Sequence, residues 1–417
     1  MDSRHAGLGD PLARRILMAA WAITAAILLV LGLIGCAAEE PASGWNGTVD
    51  TLASGHVVVR NSDIPIWGPG EAWSVREELR IGTLDGTGPD MFGDVIDFEV
   101  DAYGRFWVFE GQARELRVFD GDGRFVRTVG RQGEGPGEFN RVIGMDWGPD
   151  GHLWLADPAN NRLSVVDTTG AFVASHPTIG GVVVRPWPGG FDDSGHFYTY
   201  GIDTASEDEM IALVMVRYGR DLQPIDSVAP PAFPGREELF ELRSENHWMI
   251  AGVPFSPNLE WRLGRDATYW AGLTGEYRIY QLAWGGDTLR TILRDYDPLP
   301  VTAEDRNRAR EDLQWFVDAG GRPDWSRVPS VKPAFEEFVL DDEDRLWVQL
   351  VADGDEAGRR FDVFDAEGRF LGGLLTPFSV RFYPVPIIRD GYIYSVTEDE
   401  LEVPFVVRGR IEIPEAS

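Results

Sequence analysis

The sequence predicts an all-β fold: a six-bladed β-propeller of four-stranded blades, closed by a strand from the N-terminal side of the chain that completes the last blade. Three observations carry this. One unit recurs six times, an Asp- and Gly-rich turn, then Arg or His, then a hydrophobic-aromatic strand. Its copies are Gly104-Arg105-Phe106-Trp107, Gly151-His152-Leu153-Trp154, Gly195-His196-Phe197-Tyr198, Asp344-Arg345-Leu346-Trp347, Gly391-Tyr392-Ile393-Tyr394 and a degenerate Ala267-Thr268-Tyr269-Trp270. The spacing is 47 residues from Arg105 to His152, 44 from His152 to His196 and 47 from Arg345 to Tyr392. A period of ~40 to 50 residues with four strands per unit is the signature of propeller blades. Finally, the sixth unit ends near Ile413 after only three strands. Glu77 to Gly82 followed by Gly86-Thr87-Gly88-Pro89 matches Thr128 to Gly130 followed by Gly133-Glu134-Gly135-Pro136, so the missing strand comes from the start of the ring.

The elements follow in chain order. Arg14 and Arg15 precede an apolar run from Ile16 to Gly35, which ends in Leu33-Ile34-Gly35-Cys36. That order reads as a signal peptide over residues 1–36, and its last four residues resemble the bacterial lipobox, in which the cysteine receives diacylglycerol and becomes the new N-terminus. Cys36 is the sole cysteine, so a disulfide framework is excluded and the thiol's position gives it a purpose. An uncleaved transmembrane helix is the competing reading; either way the arginines stay inside and the folded part lies outside the cytoplasm. Ala37 after the cysteine resembles the pattern that sends lipoproteins to the outer rather than the inner membrane. Residues 37–74 read as a tether and N-terminal extension, and 75–413 as the propeller.

Within the second unit Val142 to Trp147, His152 to Ala156, Leu163 to Asp167 and Ala171 to Ser175 read as strands a to d, with Asp-Gly turns supplying the tight hairpins. The longer spacings, 72 residues from His196 to Thr268 and 77 from Thr268 to Arg345, are the same period plus insertions, Ala229 to Glu260 and Asp295 to Lys332. The second is predicted to hold a helix: Thr302 with Asp305 resembles a capping box, and Ala309, Leu313, Phe316 and Val317 form an apolar stripe before Gly320-Gly321. Both are d-to-a connections and belong on the face that carries the b-to-c loops.

Gly130-Arg131-Gln132-Gly133-Glu134-Gly135-Pro136-Gly137-Glu138-Phe139, then Asp150-Gly151, Leu153 to Asp157, Asn160-Asn161-Arg162 and Asp167 to Gly170, resembles one complete NHL repeat. The match is good in blades one and two and departs in blades three and four. The whole is similar to NHL-repeat-like six-bladed propeller lipoproteins of bacteria. Glu110, Arg114, Asp157, Asn160 and Arg162 match the NHL pattern at the b-to-c corner, and Arg131 lies in the glycine-rich run that opens the repeat. The resemblance implies the rim of a binding surface, whereas the residue types themselves read more readily as polar groups bonding loop backbone.

Sixty-eight acidic against 38 basic residues leave a net charge of −30, which repels phosphate backbones and excludes nucleic acid as a partner. No H-E-x-x-H, G-x-S-x-G or phosphate-binding glycine loop occurs. His152 and His196 stand where other units have Arg and read as structural. Carboxylates remain as candidates for chemistry. Acidic loops at Asp203, Glu207, Asp208 and Glu209, and at Glu398, Asp399, Glu400 and Glu402, could offer oxygen ligands to calcium. Counting back from the a-to-b turns puts Asp97 and Glu337 in one strand-a register and Glu99 and Asp146 in another; Asp97 with Glu337 is the pair expected at the channel mouth, where Ca2+ would be the metal. The expected protein is a monomer, lipid-anchored to the membrane through Cys36, acting as a binding or scaffold module for a protein, peptide or glycan ligand. The alternative is a metal-dependent hydrolase or lyase, lactonase-like or amidating-lyase-like, with its site at the channel mouth.

Overall fold

The computed structural model describes residues 44–178, 187, 189–203, 212–229, 238–243, 248–352 and 358–414. The signal peptide, Cys36 and most of the tether lie outside them, as do Glu207, Asp208, Glu209 and the side chain of Asp203.

Six sheets form the predicted six-bladed propeller. The chain begins with a hairpin, β1 (Gly47–Thr51) and β2 (Val57–Asn61), followed by β3 (Ser74–Ile81). Blade one is β4 (Val95–Val100), β5 (Phe106–Glu110), β6 (Glu115–Phe119) and β7 (Phe125–Val129). Blade two is β8 (Gly144–Trp147), β9 (Leu153–Asp157), β10 (Arg162–Val166) and β11 (Phe172–Pro177). Blade three is β12 (Gly190–Phe191), β13 (Phe197–Asp203), β14 (Ala212–Tyr218) and β15 (Pro224–Val228). An inserted hairpin, β16 (Leu239–Arg243) with β17 (Trp248–Gly252), leads to blade four: β18 (Leu259–Leu263), β19 (Tyr269–Leu273), β20 (Arg278–Leu282) and β21 (Thr288–Arg294). Helices α1 (Ala303–Asp312) and α2 (Gln314–Asp318) then precede blade five: β22 (Glu337–Leu340), β23 (Leu346–Gln349), β24 (Arg360–Phe364) and β25 (Phe370–Leu375). Blade six is β26 (Ile387–Arg389), β27 (Tyr392–Glu398) and β28 (Pro404–Glu412), completed by β3.

Closure is as the sequence predicts. β3 pairs antiparallel with β28 from Ser74 opposite Glu412 to Ile81 opposite Val406. Strand b is buried at every residue in blades one, two and five, which is why its sequence is the most regular part of the repeat: β5 reads Phe-Trp-Val-Phe-Glu. Those side chains fill the spaces between blades, Trp107 and Phe109 meeting Phe139, Met145 and Leu155 of blade two.

Three features differ from the sequence expectation. The extension is not merely a tether, because β2 runs parallel to β21 and β1 pairs outside it, making blade four six-stranded. The β-branched run Val57-Val58-Val59 gives β2 its propensity, and it lay outside the repeat period. The first insertion ends before Leu259, since Glu260 belongs to strand a of blade four. The helical insertion holds two short helices broken at Leu313, with the Thr302–Asp305 capping box formed. Of its apolar stripe, Ala309, Leu313 and Phe316 are buried and Val317 is exposed. The stripe packs on the first insertion: Leu313, Phe316 and Val328 cluster with Phe240, Ala251 and Val253. The insertions thus build one accessory lobe flanking blade four.

Candidate functional site in the central channel

The innermost strands present two levels of side chains to the channel. Opposite the strand-b aromatics Trp107, Trp154, Tyr198, Trp270, Trp347 and Tyr394 lie Glu99, Asp146, Gly190, Arg262, Val339 and Ile387. Two residues earlier in their strands come Asp97, Gly144, Glu260 and Glu337. Asp97 and Glu337 therefore hold equivalent registers, as do Glu99 and Asp146.

Contacts divide these groups into two walls. Asp97 reaches toward blade two: its Oδ2 accepts the Met145 amide at 2.7 Å while Oδ1 accepts the Phe98 amide at 2.9 Å. Asp146 repeats the device one blade on, accepting the Phe191 amide at 2.7 Å. A strand-a N–H that faces the channel has no further strand to pair with, and the neighbouring blade's carboxylate satisfies it. Opposing this, burial pushes Asp97 up to about 7, aided by the charge of Asp146 and offset by the two amides. Burial likewise raises Asp146 to about 7, against the amides of Phe191 and Trp147. Glu99 is held well above the usual carboxylate range by burial first and then by Asp146 and Asp97, with Arg389 acting the other way.

The second wall is Glu260, Arg262 and Glu337. Arg262 donates to Glu337 Oε2 at 2.5 Å and stands 3.8 Å from Glu260 Oε2. Burial, then the adjacent Glu337, pushes Glu260 up to about 9, so it keeps its proton at neutral pH. This wall is an Arg262–Glu337 ion pair with a neutral acid beside it. Between the walls is a cavity of about 390 Å³, whose apolar lining includes Trp187, Tyr200, Trp261 and Ile387. Gly144 is required here: a Cβ would stand 2.3 Å from the Trp187 side chain. Around the a-to-b turns a second cavity, about 720 Å³, is bordered by Tyr103, Trp147, Arg389 and Tyr394.

Asp97 and Glu337 thus have different partners, one in the acidic wall and the other in the ion-paired wall. Among the described residues no three His, Cys, Asp or Glu side chains are grouped to hold a metal ion. Sequence reasoning missed Glu260 and Arg262. The signal was present, because counting back from Tyr269-Trp270 by the rule that found Asp97 reaches both.

Five of the six NHL-type residues are corner posts, and the sixth, Arg131, lies in the connection between blades one and two. Asp157 is fully buried and accepts the amides of Asn140 and Arg141 at 3.0 and 2.8 Å and the Asn160 amide group at 2.8 Å. Asn160 also donates to the Gly133 carbonyl, and Arg162 to the carbonyls of Glu134, Gly135 and Glu138. Glu110 does in blade one what Asp157 does in blade two, accepting the amides of Gly93, Asp94 and Ala113. Arg114 donates to Asn140, and Arg131, largely exposed, pairs with Glu138. In the second acidic loop Glu398 pairs with Arg381, and Asp399 accepts the amides of Leu401 and Val403.

The DUF5128 family, described as a 6-bladed beta-propeller, matches residues 98–170. No curated protein matches the chain. Among solved structures, a Bacteroides fragilis protein described as exported aligns at 11% identity over 85% of this chain and 99% of its own, with a TM-score of 0.48. A Bacteroides vulgatus member of the duf4221 family aligns at 13% identity over 84% and 100%, with a TM-score of 0.48. Virginiamycin B lyase of Staphylococcus aureus aligns at 11% identity over 81% and 99%, with a TM-score of 0.42. The chain is a six-bladed β-propeller by its own strand order and by that family match.

Proposed function

We propose that this protein is a lipid-anchored, extracytoplasmic binding module whose central channel takes a small cationic group, such as the basic side chain of a peptide. The observation that carries the reading is the asymmetry of the channel: Asp97, Glu99 and Asp146 crowd one wall, and the one arginine of the other is matched by Glu337. Carboxylates held near or above neutrality by burial and by one another are relieved by a positive charge placed among them. Such a ligand therefore binds with release of protons, and the aromatic lining supplies apolar contact and cation–π attraction.

Calorimetric titration with agmatine tests this, with chitobiose as the glycan control. Agmatine is expected to bind with proton release and more tightly at pH 8 than at pH 6. Glu99→Gln, which leaves the amide-accepting aspartates intact, is expected to weaken it about tenfold, the equivalent of ~1.4 kcal/mol. Chitobiose binding with no agmatine binding would overturn the cationic reading. Calcium alone is titrated in parallel. A calcium-dependent rise in melting temperature that Asp97→Asn with Glu337→Gln abolishes would replace this reading with the metal-dependent one.

A further inference from the structure

We infer that the accessory lobe is a membrane-contacting surface, so that the propeller sits with its d-to-a face toward the bilayer. The inference rests on the lipid anchor at Cys36 and adds to it which face the anchored molecule turns to the membrane.

The exposed tryptophans among the described residues are two, Trp248 and Trp315, with 56% and 50% of their surface accessible, and both belong to the lobe. Trp248 lies on β17 in the face opposite the one that packs on the helices. The hairpin buries Phe240 and Ala251, which pair across the strands, and turns outward the next pairs, Glu241 with Ile250 and Arg243 with Trp248. Ile250 is exposed beside it, and Val317 accompanies Trp315 on α2. The helices bury Leu313 and Phe316 against the hairpin, so these outward groups are not needed for the lobe's own core. Indole rings favour the bilayer interface, where an apolar body and an N–H find different surroundings.

Chain geometry supplies the occupant. β21 ends at Arg294 on the d-to-a face, Asn61 of the parallel β2 lies beside Arg294, and Gly47 of β1 lies beside Asn61. The polypeptide therefore joins blade four on the face from which both insertions leave, one ahead of β18 and the other after β21. Ten residues separate Cys36 from Gly47. Even fully extended they span only ~35 Å. The chain enters the fold at Gly47 on the face that also carries the lobe and its exposed tryptophans, and the tether keeps an anchored bilayer within ~35 Å of that entry point. Because the whole chain carries a charge of −30, the contact is with the apolar interface rather than with anionic headgroups, and it tolerates salt and zwitterionic lipid.

The lipidated full chain, reconstituted in phosphatidylcholine vesicles, tests this. Cys36 is the sole natural thiol and its lipid occupies it, so one engineered cysteine gives one label site. Trp315→Cys places a fluorophore on the lobe; Gly285→Cys places one in the turn between β20 and β21, on the opposite face of the same blade, where a side chain meets nothing within 4 Å. Lipids brominated along their acyl chains are expected to quench the label at 315 several-fold more than that at 285, equally at low and high salt. The lipidated Trp248→Ser/Trp315→Ser protein, labelled at Ile250→Cys, is expected to lose most of the quenching while still floating with vesicles. Equal quenching at 315 and 285, or stronger quenching at 285, in protein that floats would overturn the orientation and leave the anchor standing. Failure of the parent to float better than Cys36→Ala would overturn the anchor, and the orientation with it.

Discussion

Asp101, Asp192 and Asp341 show how one residue fixes the repeat. Asp341 caps its a-to-b turn by accepting the amides of Glu343 and Arg345, then binds the Arg345 guanidinium at 2.6 Å and the Trp347 indole N–H at 2.9 Å. Asp101 does the same with Arg105 and Trp107, and Asp192 with His196 and Tyr198. His196 is thus a stand-in for arginine at a structural post, whereas His152 pairs with Asp150 within its turn. Corner carboxylates act alike: Asp157→Ala would strand two backbone amides and is expected to cost about 2–4 kcal/mol in a denaturant titration, with no change in channel binding. The channel carboxylates make stability depend on pH. Asp97 and Asp146 have folded-state values near 7, above the ordinary 3.8, so the native state holds more protons than the unfolded chain between those limits. Stability from these groups is full below about pH 4 and falls as pH rises toward 7. Thermal unfolding followed from pH 5 to 8 should show that decline, and Asp146→Asn should flatten it; an unchanged slope would mean that the acidic wall is solvated like an ordinary surface.

At the scale of elements, the N-terminal segment is a strap across three blades. After β2 extends blade four, buried Asn61 donates to the carbonyls of Leu293 and Gly368 and accepts the Phe370 amide, joining blade four to blade five. Trp67 then donates its amide to Leu371 of β25, and β3 enters blade six. Asn61→Ala leaves buried partners unmatched on both blades and is expected to cost about 2–3 kcal/mol by chemical denaturation, an amount that Asn61→Asp would not recover because it removes the donor. The sequence made the blades legible because each repeats the same turn chemistry and the same buried aromatic strand. β1 and β2 escaped because their alternation is local and occurs once, so no period marks them. Glu260 and Arg262 escaped for a related reason. The degenerate turn Ala267-Thr268 lacks the Asp-Gly pattern, and the insertion before it blurs where strand a begins. The partners of Asp97 and Glu337 were beyond register counting, because equivalent positions on a ring face different neighbours according to which blades adjoin them.

The ring as a whole depends on one seam. Every blade except the sixth takes its four blade strands from consecutive chain, with β1 and β2 added at the outer edge of blade four. The four strands of blade six, by contrast, are complete only when β3 pairs with β28, joining segments more than 300 residues apart. The seam also carries packing. Val75 joins the cluster of Trp347, Phe361 and Phe378, and Ile81 joins Phe98, Phe119 and Val406 of blades one and six. Even Gly82 is fitted to the junction: its φ of +146° suits glycine, and a Cβ would lie 2.5 Å from the Phe405 ring. Removing Arg76 to Gly82 would strip β28 of its outer partner, expose it as an unpaired edge at the rim of blade six and empty the site of Ile81, whose loss alone is worth ~2–5 kcal/mol. Added to the unpaired ladder, that approaches the ~5–15 kcal/mol that keeps a typical protein folded. The deletion is therefore expected to abolish the single cooperative thermal transition, and a synthetic peptide spanning Ser74 to Thr83 is expected to restore part of it by occupying the vacant edge. A deletion variant that melts cooperatively at the parent temperature would show that the strap on blades four and five, rather than the seam in blade six, holds the ring shut.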